Sequence, residues 1–382
     1  MRIAVVSRGF SAYRGGAERF TASLCNRLAG TGHEVTLFSS EPLSSLPEKI
    51  RFQTVSIQSL FAFLKILSFH WSVRKTLKRD QFDVVYGICQ FFPLDLFYAG
   101  GGVHRHWMKL RYPWFPFRTI KYLLSPVHLA MIWLEGKIFD AAGCNLIVTN
   151  SRLVRSHIQT YYSTPDSRIE VIYDGVDQSV FNPGVRSHRM EMRNELGLLE
   201  SDIVMIHASN NWKRKGLETI LHAMQSLPER FKLVVAGRGK SIRYLRLSRK
   251  LKIAESRLIF TGNTPHIERI YGMGDCFVLP TLYDPCAQVC REAMSCGLPV
   301  ITTRNNGASE LIDHGTNGFI LGHWKDHQSL YAFLETFLDD DLRKGFGEAA
   351  RNSVKNCSWE KNAAQHLELF TRMKFPTGND ND

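Results

Sequence analysis

The side chains best placed to do chemistry lie between Tyr283 and Val300 in this 382-residue chain. Asp284 stands just past an apolar run, Cys276–Pro280, that reads as a strand. Glu292 follows about two helical turns into a segment that Gly297 closes before Leu298-Pro299-Val300. Between the two acids, the backbone N–H groups of Cys286, Ala287, Gln288 and Val289 fall at a helix start. Unpaired amides and the macrodipole favour an anion there. Two carboxylates flanking a phosphate cradle suit a nucleotide-sugar, one acid for sugar hydroxyls and the other for ribose hydroxyls.

Two other turns offer phosphate chemistry. Asn211-Trp212-Lys213-Arg214-Lys215-Gly216 precedes a helix of Leu217, Ile220, Leu221 and Met224. Cations at a helix N-terminus oppose the macrodipole unless an anion sits among them. A diphosphate resolves the conflict, with Arg214 and Lys215 neutralising its oxygens; a solvated basic turn is the plainer reading. In Arg14-Gly15-Gly16-Ala17-Glu18-Arg19, paired glycines let the backbone approach a ligand closely. The spacing is not the dinucleotide fingerprint, and an ordinary βα turn accounts for it equally. Gly237, in Gly237-Arg238-Gly239, is a nucleotide contact or a simple turn. Asp339-Asp340-Asp341 reads as a solvated helix-terminal turn, and the scattered histidines lack zinc spacing.

Positioning these turns requires alternating strands and helices. Arg2–Val6, Glu34–Phe38, Asp83–Tyr86 and Leu146–Thr149 are short β-branched or aromatic runs in the first half. Ala17–Ala29 is helical, with Phe20, Leu24, Cys25 and Leu28 on one face. Ile203–His207, Lys232–Ala236, Leu258–Thr261, Cys276–Pro280 and Pro299–Thr303 repeat the grammar in the second half. A strand–helix–strand order implies parallel pairing, so the expectation is α/β architecture with two doubly wound domains.

The Asp284…Glu292 segment resembles the E-x7-E motif of retaining glycosyltransferases of family 4, with Asp in place of the first Glu. Gly15-Gly16, Arg214-Lys215-Gly216 and Gly297-Leu298-Pro299-Val300 fall where that family has them, and the match covers nearly the whole chain. The resemblance implies the GT-B fold, two Rossmann-like domains facing across a cleft. Leu94-Asp95-Leu96-Phe97-Tyr98-Ala99 and the insertion after it are similar to the lipopolysaccharide-core α-glucosyltransferase group. By this resemblance Arg214 and Lys215 hold the donor diphosphate and stabilise the leaving nucleotide, Glu292 binds ribose and Asp284 contacts the donor sugar. Gly15 and Gly16 pass close to phosphate or acceptor. His104, in Gly100-Gly101-Gly102-Val103-His104, corresponds to a first-domain histidine near the donor sugar; a polar loop residue is the other reading. Thr264, in Thr261-Gly262-Asn263-Thr264, lies where the family meets the base through its backbone. The resemblance implies no metal and no cofactor, the nucleotide-sugar being a co-substrate.

The implied domains are an acceptor domain over 1–180 and a donor domain over 181–360. A helix over 361–375 packs back on the first, and 376–382 is a disordered tail. A formal charge of +12 points to an anionic partner, and its excess is concentrated in residues 1–180. Segments 60–79 and 104–134 interleave aromatics with Lys and Arg: Arg105, Lys109, Arg111, Arg118 and Lys121 alternate with Trp107, Tyr112, Trp114, Phe115 and Phe117. Such segments suit an anionic membrane surface; a core of aromatics under a solvated basic face is the alternative. No run of about 18 apolar residues exists to span a membrane, and no secretory leader is evident. The eight cysteines form no framework and read as cytosolic thiols. The expectation is a cytoplasmic hexosyltransferase, peripheral at the inner membrane face, moving glucose from a UDP-sugar to a lipid-linked glycan. A nucleotide-sugar epimerase of the same fold is the alternative. A basic nucleic-acid-binding protein leaves the Arg214-Lys215 and Asp284…Glu292 patterns unexplained.

Overall fold

The computed structural model describes residues 1–10, 16–41, 48–57 and 61–375. Gly15, the Leu60 end of segment 60–79 and the tail 376–382 lie outside the described residues. The chain divides into two units, Met1–Gly175 with the segment from Trp359 onward, and Val176–Ser358. The first division falls before the expected 180. Val176 bridges to Ser358, and Phe181 is buried in the core of the second unit.

The first unit is built on a seven-stranded sheet of β1 (Arg2–Val6), β2 (Glu34–Ser39), β3 (Ile50–Thr54), β4 (Val84–Gly87), β5 (Leu94–Tyr98), β6 (Cys144–Thr149) and β7 (Ile169–Val171). Their order is β3-β2-β1-β4-β5-β6-β7, and every pairing is parallel. β1 is buried from Ile3 to Val6, as a strand covered on both faces must be. The Gly16–Gly30 helix lays Phe20, Leu24, Cys25 and Leu28 on the sheet. The Trp359–Lys374 helix completes this core with Trp359, Ala363, Leu369 and Phe370. His366 Nε2 lies 3.0 Å from the Tyr86 hydroxyl, and Lys374 pairs with Asp83 at 3.1 Å. The aromatic-basic insertion forms three helices, His104–Arg111, Phe115–Leu124 and Pro126–Phe139.

The second unit carries six parallel strands: β8 (Ile203–Ala208), β9 (Phe231–Ala236), β10 (Leu258–Gly262), β11 (Cys276–Leu279), β12 (Val300–Thr303) and β13 (Gly318–Leu321). Their order is β10-β9-β8-β11-β12-β13. All of β8 and β11 is buried. In each unit the strand order reverses once, between β1 and β4 and between β8 and β11. Such switch points open a crevice at the carboxyl ends of the two strands, where doubly wound sheets bind ligands.

Candidate functional site

The second unit's switch point is bordered by the loop after β8 and the loop after β11. Lys215 lies on the first and Asp284 on the second, and the Lys215 ammonium is in direct contact with Asp284 Oδ2. Their side chains are 10% and 13% exposed, so the pair is largely withdrawn from solvent. Burial lowers the pKa of Lys215, and the Arg214 charge adds to it. Arg214 beside them is half-buried, and burial lowers its pKa as well.

Backbone contacts hold these loops together. The Arg214 carbonyl accepts the Leu282 N–H at 2.8 Å and the Thr281 hydroxyl at 3.3 Å. Gly216 has φ +76°, and a Cβ there would stand 2.0 Å from the Pro280 carbonyl oxygen; only glycine permits this approach. Trp212 is buried against Tyr244 and Phe260 and anchors the first loop. Gly237 plays a similar part. Its φ is +109°, a Cβ would stand 2.2 Å from the Ser209 oxygen, and its N–H reaches the Gly262 carbonyl at 2.7 Å. Thr264 sits at the same sheet edge, where its hydroxyl accepts the His266 N–H at 3.1 Å ahead of the Ile267–Met273 helix.

The expected phosphate cradle is shorter than the sequence implied. The helix runs Gln288–Ser295 with Ala287 as its extended cap. Cys286 and Ala287 are buried, and Asn306 Oδ1 accepts the Ala287 N–H at 3.0 Å. The helix start proper is therefore Gln288 and Val289, both half-buried. Glu292 lies one turn on, on the same face as Gln288. It is 5% exposed and accepts the Tyr271 hydroxyl at 3.1 Å. Asn306 is the residue that sequence reasoning missed. It is fully buried, also accepts the Ala308 N–H at 3.1 Å and donates to Thr302 at 3.0 Å. Its signal was the turn-forming Asn305-Asn306-Gly307 after the β12 run.

Gly16 and His104 belong to the first unit. A crevice of about 230 Å³ at its switch point is lined by Ser7, Ala17 and Glu18, by Cys89 after β4, and by Gly101 and Gly102 after β5. Gly16 opens its helix exposed at this edge. His104 opens the His104–Arg111 helix. Beneath it lies Glu135, 3% exposed, a second residue that sequence reasoning passed over although it is the first acid after a long basic run. Its carboxylate accepts the His104 N–H, the Arg105 N–H at 3.3 Å and the Tyr162 hydroxyl at 2.7 Å. Burial pushes the Glu135 pKa up to about 7. The His104 ring meets His128, with Nε2 and Nδ1 3.0 Å apart. Burial first, then His128, holds His104 down to about 4, so the ring is neutral at pH 7.

Asp339 caps the Asp340–Ser353 helix by accepting the N–H groups of Asp341 and Leu342. Among the described residues, no group of three or more His, Cys, Asp or Glu side chains is placed to hold a metal ion.

Two parallel Rossmann-like sheets with ligand-competent switch points define the GT-B fold, and the chain belongs to the family 4 glycosyltransferases. Residues 14–180 match the Glycosyltransferase Family 4 model and residues 188–353 match Glycosyl transferases group 1. Over 367 residues the chain is 20% identical to the lipopolysaccharide glucosyltransferase WaaG of Escherichia coli K12, covering 95% of this chain and 93% of that one. Over 210 residues it is 28% identical to the N-acetyl-alpha-D-glucosaminyl L-malate synthase of Bacillus anthracis, 54% of each chain. The chain spans about half the length of this relative and of others like it. The WaaG crystal structure superposes with a TM-score of 0.81 at 19% identity, covering 99% of this chain and 100% of that one. Anabaena Alr3699/HepE in complex with UDP and glucose gives 0.73 at 18% identity, covering 97% and 99%.

Proposed function

We propose that this protein is a retaining hexosyltransferase that moves glucose from UDP-glucose to a sugar hydroxyl of a lipid-linked glycan such as lipopolysaccharide core. The Lys215–Asp284 pair at the second unit's switch point carries the reading. An arriving diphosphate competes with Asp284 for Lys215, because phosphate oxygens satisfy a buried ammonium better than a single carboxylate does. Arg214 and Lys215 then neutralise the phosphates and the charge that develops on the leaving nucleotide. Asp284, released from Lys215, accepts hydrogen bonds from the donor sugar, and Glu292 takes the ribose. His104, neutral and held by Glu135 and His128, offers a hydrogen bond to the sugar. The likeness to WaaG over nearly the whole chain supports the glycan acceptor, and the HepE complex supports a UDP-linked donor. No metal or cofactor is needed where two cations hold the diphosphate.

The acceptor side supports membrane attachment. Trp114 is 78% exposed, Leu124 75% and Phe115 69%. Trp133, on the Pro126–Phe139 helix, and Trp71, on the Ala62–Thr76 helix packed against it, are also exposed. Lys109 and Arg111 stand exposed beside them. Among the described residues no helix is long and apolar enough to cross a membrane. On this reading the enzyme works peripherally, at the cytoplasmic face of the inner membrane.

The test is release of UDP from UDP-glucose with and without a glycolipid acceptor. Acceptor-dependent release, unaffected by EDTA, is expected. Turnover of the nucleotide-sugar to an epimer without UDP release would replace this reading with the epimerase one.

A further inference from the structure

We propose that the second unit holds another anion site, at the end of its sheet opposite Asp284, that takes a small molecule bearing one or two phosphoryl groups. Asp275 stands just before β11 and Gly297 shortly before β12, so both mark the amino ends of these strands. A cavity of about 690 Å³ opens there, with Arg186, Arg189, Arg343, Lys344 and Arg351 in its lining and Asp275 and Glu348 as its acids. β11 has four residues, about 13 Å of extended chain, which separates this cavity from the Asp284 loop.

One carboxylate organises the wall. Asp275, 4% exposed, accepts Arg189 at 2.6 Å, Arg193 at 2.7 Å and the Val204 N–H at 2.7 Å. Arg343 Nε lies 3.7 Å from it. Arg193 is spent on the fold, since it is fully buried and bonds four carbonyls besides Asp275. Arg343 and Lys344 reach Asp340 and Asp341 at the rim. Arg186 and Arg351 are different. Arg186 donates to the Gly274 carbonyl at 3.1 Å. Arg351 donates to Ser295 at 3.1 Å and to the Gln178 side chain at 3.4 Å. Neither guanidinium pairs with a carboxylate among the described residues.

Part of this charge complements helix ends. The Ile267–Met273 and Gln288–Ser295 helices both terminate here, and each carboxyl end carries about half a negative charge. Together they offset about one cation, which leaves the wall positive. Burial, followed by the charge of Arg189, lowers the Arg186 pKa, and Asp275 acts in the opposite direction. Guanidinium forks match phosphate oxygens bidentately, and the cavity is of a size that holds small molecules.

Inorganic pyrophosphate is the probe, measured by calorimetry on the Arg214→Ala/Lys215→Ala protein, whose donor-side cations are gone. Binding is expected to persist. Adding Arg186→Gln and Arg351→Gln should weaken it at least tenfold, because glutamine keeps an amide donor for the same oxygens but not the charge. Lys344→Glu, at an exposed position that folding tolerates, should weaken it at least threefold. Loss of all pyrophosphate binding in the donor-side variant, or equal binding in the Arg186, Arg351 and Lys344 variants, overturns the proposal. Vesicles containing phosphatidic acid, added to the same titration, distinguish the source. Competition assigns a lipid headgroup, and indifference assigns a free phosphorylated molecule.

Discussion

Lys215 and Asp284 are 69 residues apart in sequence, yet their charged ends touch across the switch point of the second sheet. Each came from a separate motif, one after β8 and one after β11, and the crossing of strand order is what joins them. The site thus holds an ion pair, and the proposed mechanism gives its two members different tasks.

Asp284→Asn and Lys215→Ala should therefore separate. The first is expected to preserve binding of bare UDP while lowering turnover and affinity for the sugar-bearing donor. The second should weaken UDP itself by about 1.5–3 kcal/mol, the range for a hydrogen bond to a charged group. A thermal double-mutant cycle without ligand should show coupling between the two, and saturating UDP should abolish it. Additive effects in both states would leave Asp284 without a role in the exchange.

Glu292→Gln should weaken UDP binding, whereas Tyr271→Phe, which removes only the hydroxyl that Glu292 accepts, should leave it within a few-fold of wild type. Equal losses in both, measured by calorimetry, would make Glu292 a structural acid of the helix.

Gly216→Ala is expected to destabilise the protein by about 1–3 kcal/mol, the cost of a non-glycine residue held in a left-handed conformation, and to impair nucleotide binding as well. The Cβ would push the 212–216 loop off the Pro280 carbonyl. Chemical denaturation and UDP titration of the same variant check both effects.

Glu135 predicts a pH dependence. Its pKa rises from 4.5 to about 7 on folding, so the folded state binds more protons between those values. Its contribution to stability is complete below pH 4.5 and is lost as pH rises to about 7, a change of about 3 kcal/mol. Histidines such as His104 act in the opposite sense. Held at about 4, it contributes stability above pH 6.5 that is lost as pH falls through 4. The difference between wild type and Glu135→Gln isolates the carboxyl: the variant should gain relative stability steadily from pH 4.5 to 7 and no further above it. A flat difference across that window would contradict the raised pKa of the buried carboxyl.

For the membrane reading, co-sedimentation with anionic vesicles should exceed that with neutral ones and fall with salt. Each cation near such a surface is worth about 1 kcal/mol, so Ala at Lys109, Arg111 and Lys121 together should reduce binding at least 100-fold. Binding to neutral vesicles as strong as to anionic ones would instead assign attachment to the aromatic side chains alone.

The local alphabet of this protein was legible in its residues. The β-branched runs of β1, β2, β8, β9 and β11, the apolar face of the Gly16–Gly30 helix and the motifs around Arg214, Asp284 and Glu292 are local properties, set by side-chain shape and spacing. β3, β5, β7 and β13 were not read as strands; Asp95 interrupts β5, and β7 has only three residues. All four exist because neighbouring strands pair with them. The same limit applies at the site. That Lys215 meets Asp284, that Asn306 takes the Ala287 N–H and that Glu135 holds the helix of His104 are contacts between residues far apart in the chain. Sequence spacing carries no information about such distances until the sheets assemble. Burial follows the same rule: the residue types named Glu135 and His104 as titratable, but only the packing around them moved their pKa values toward 7 and toward 4.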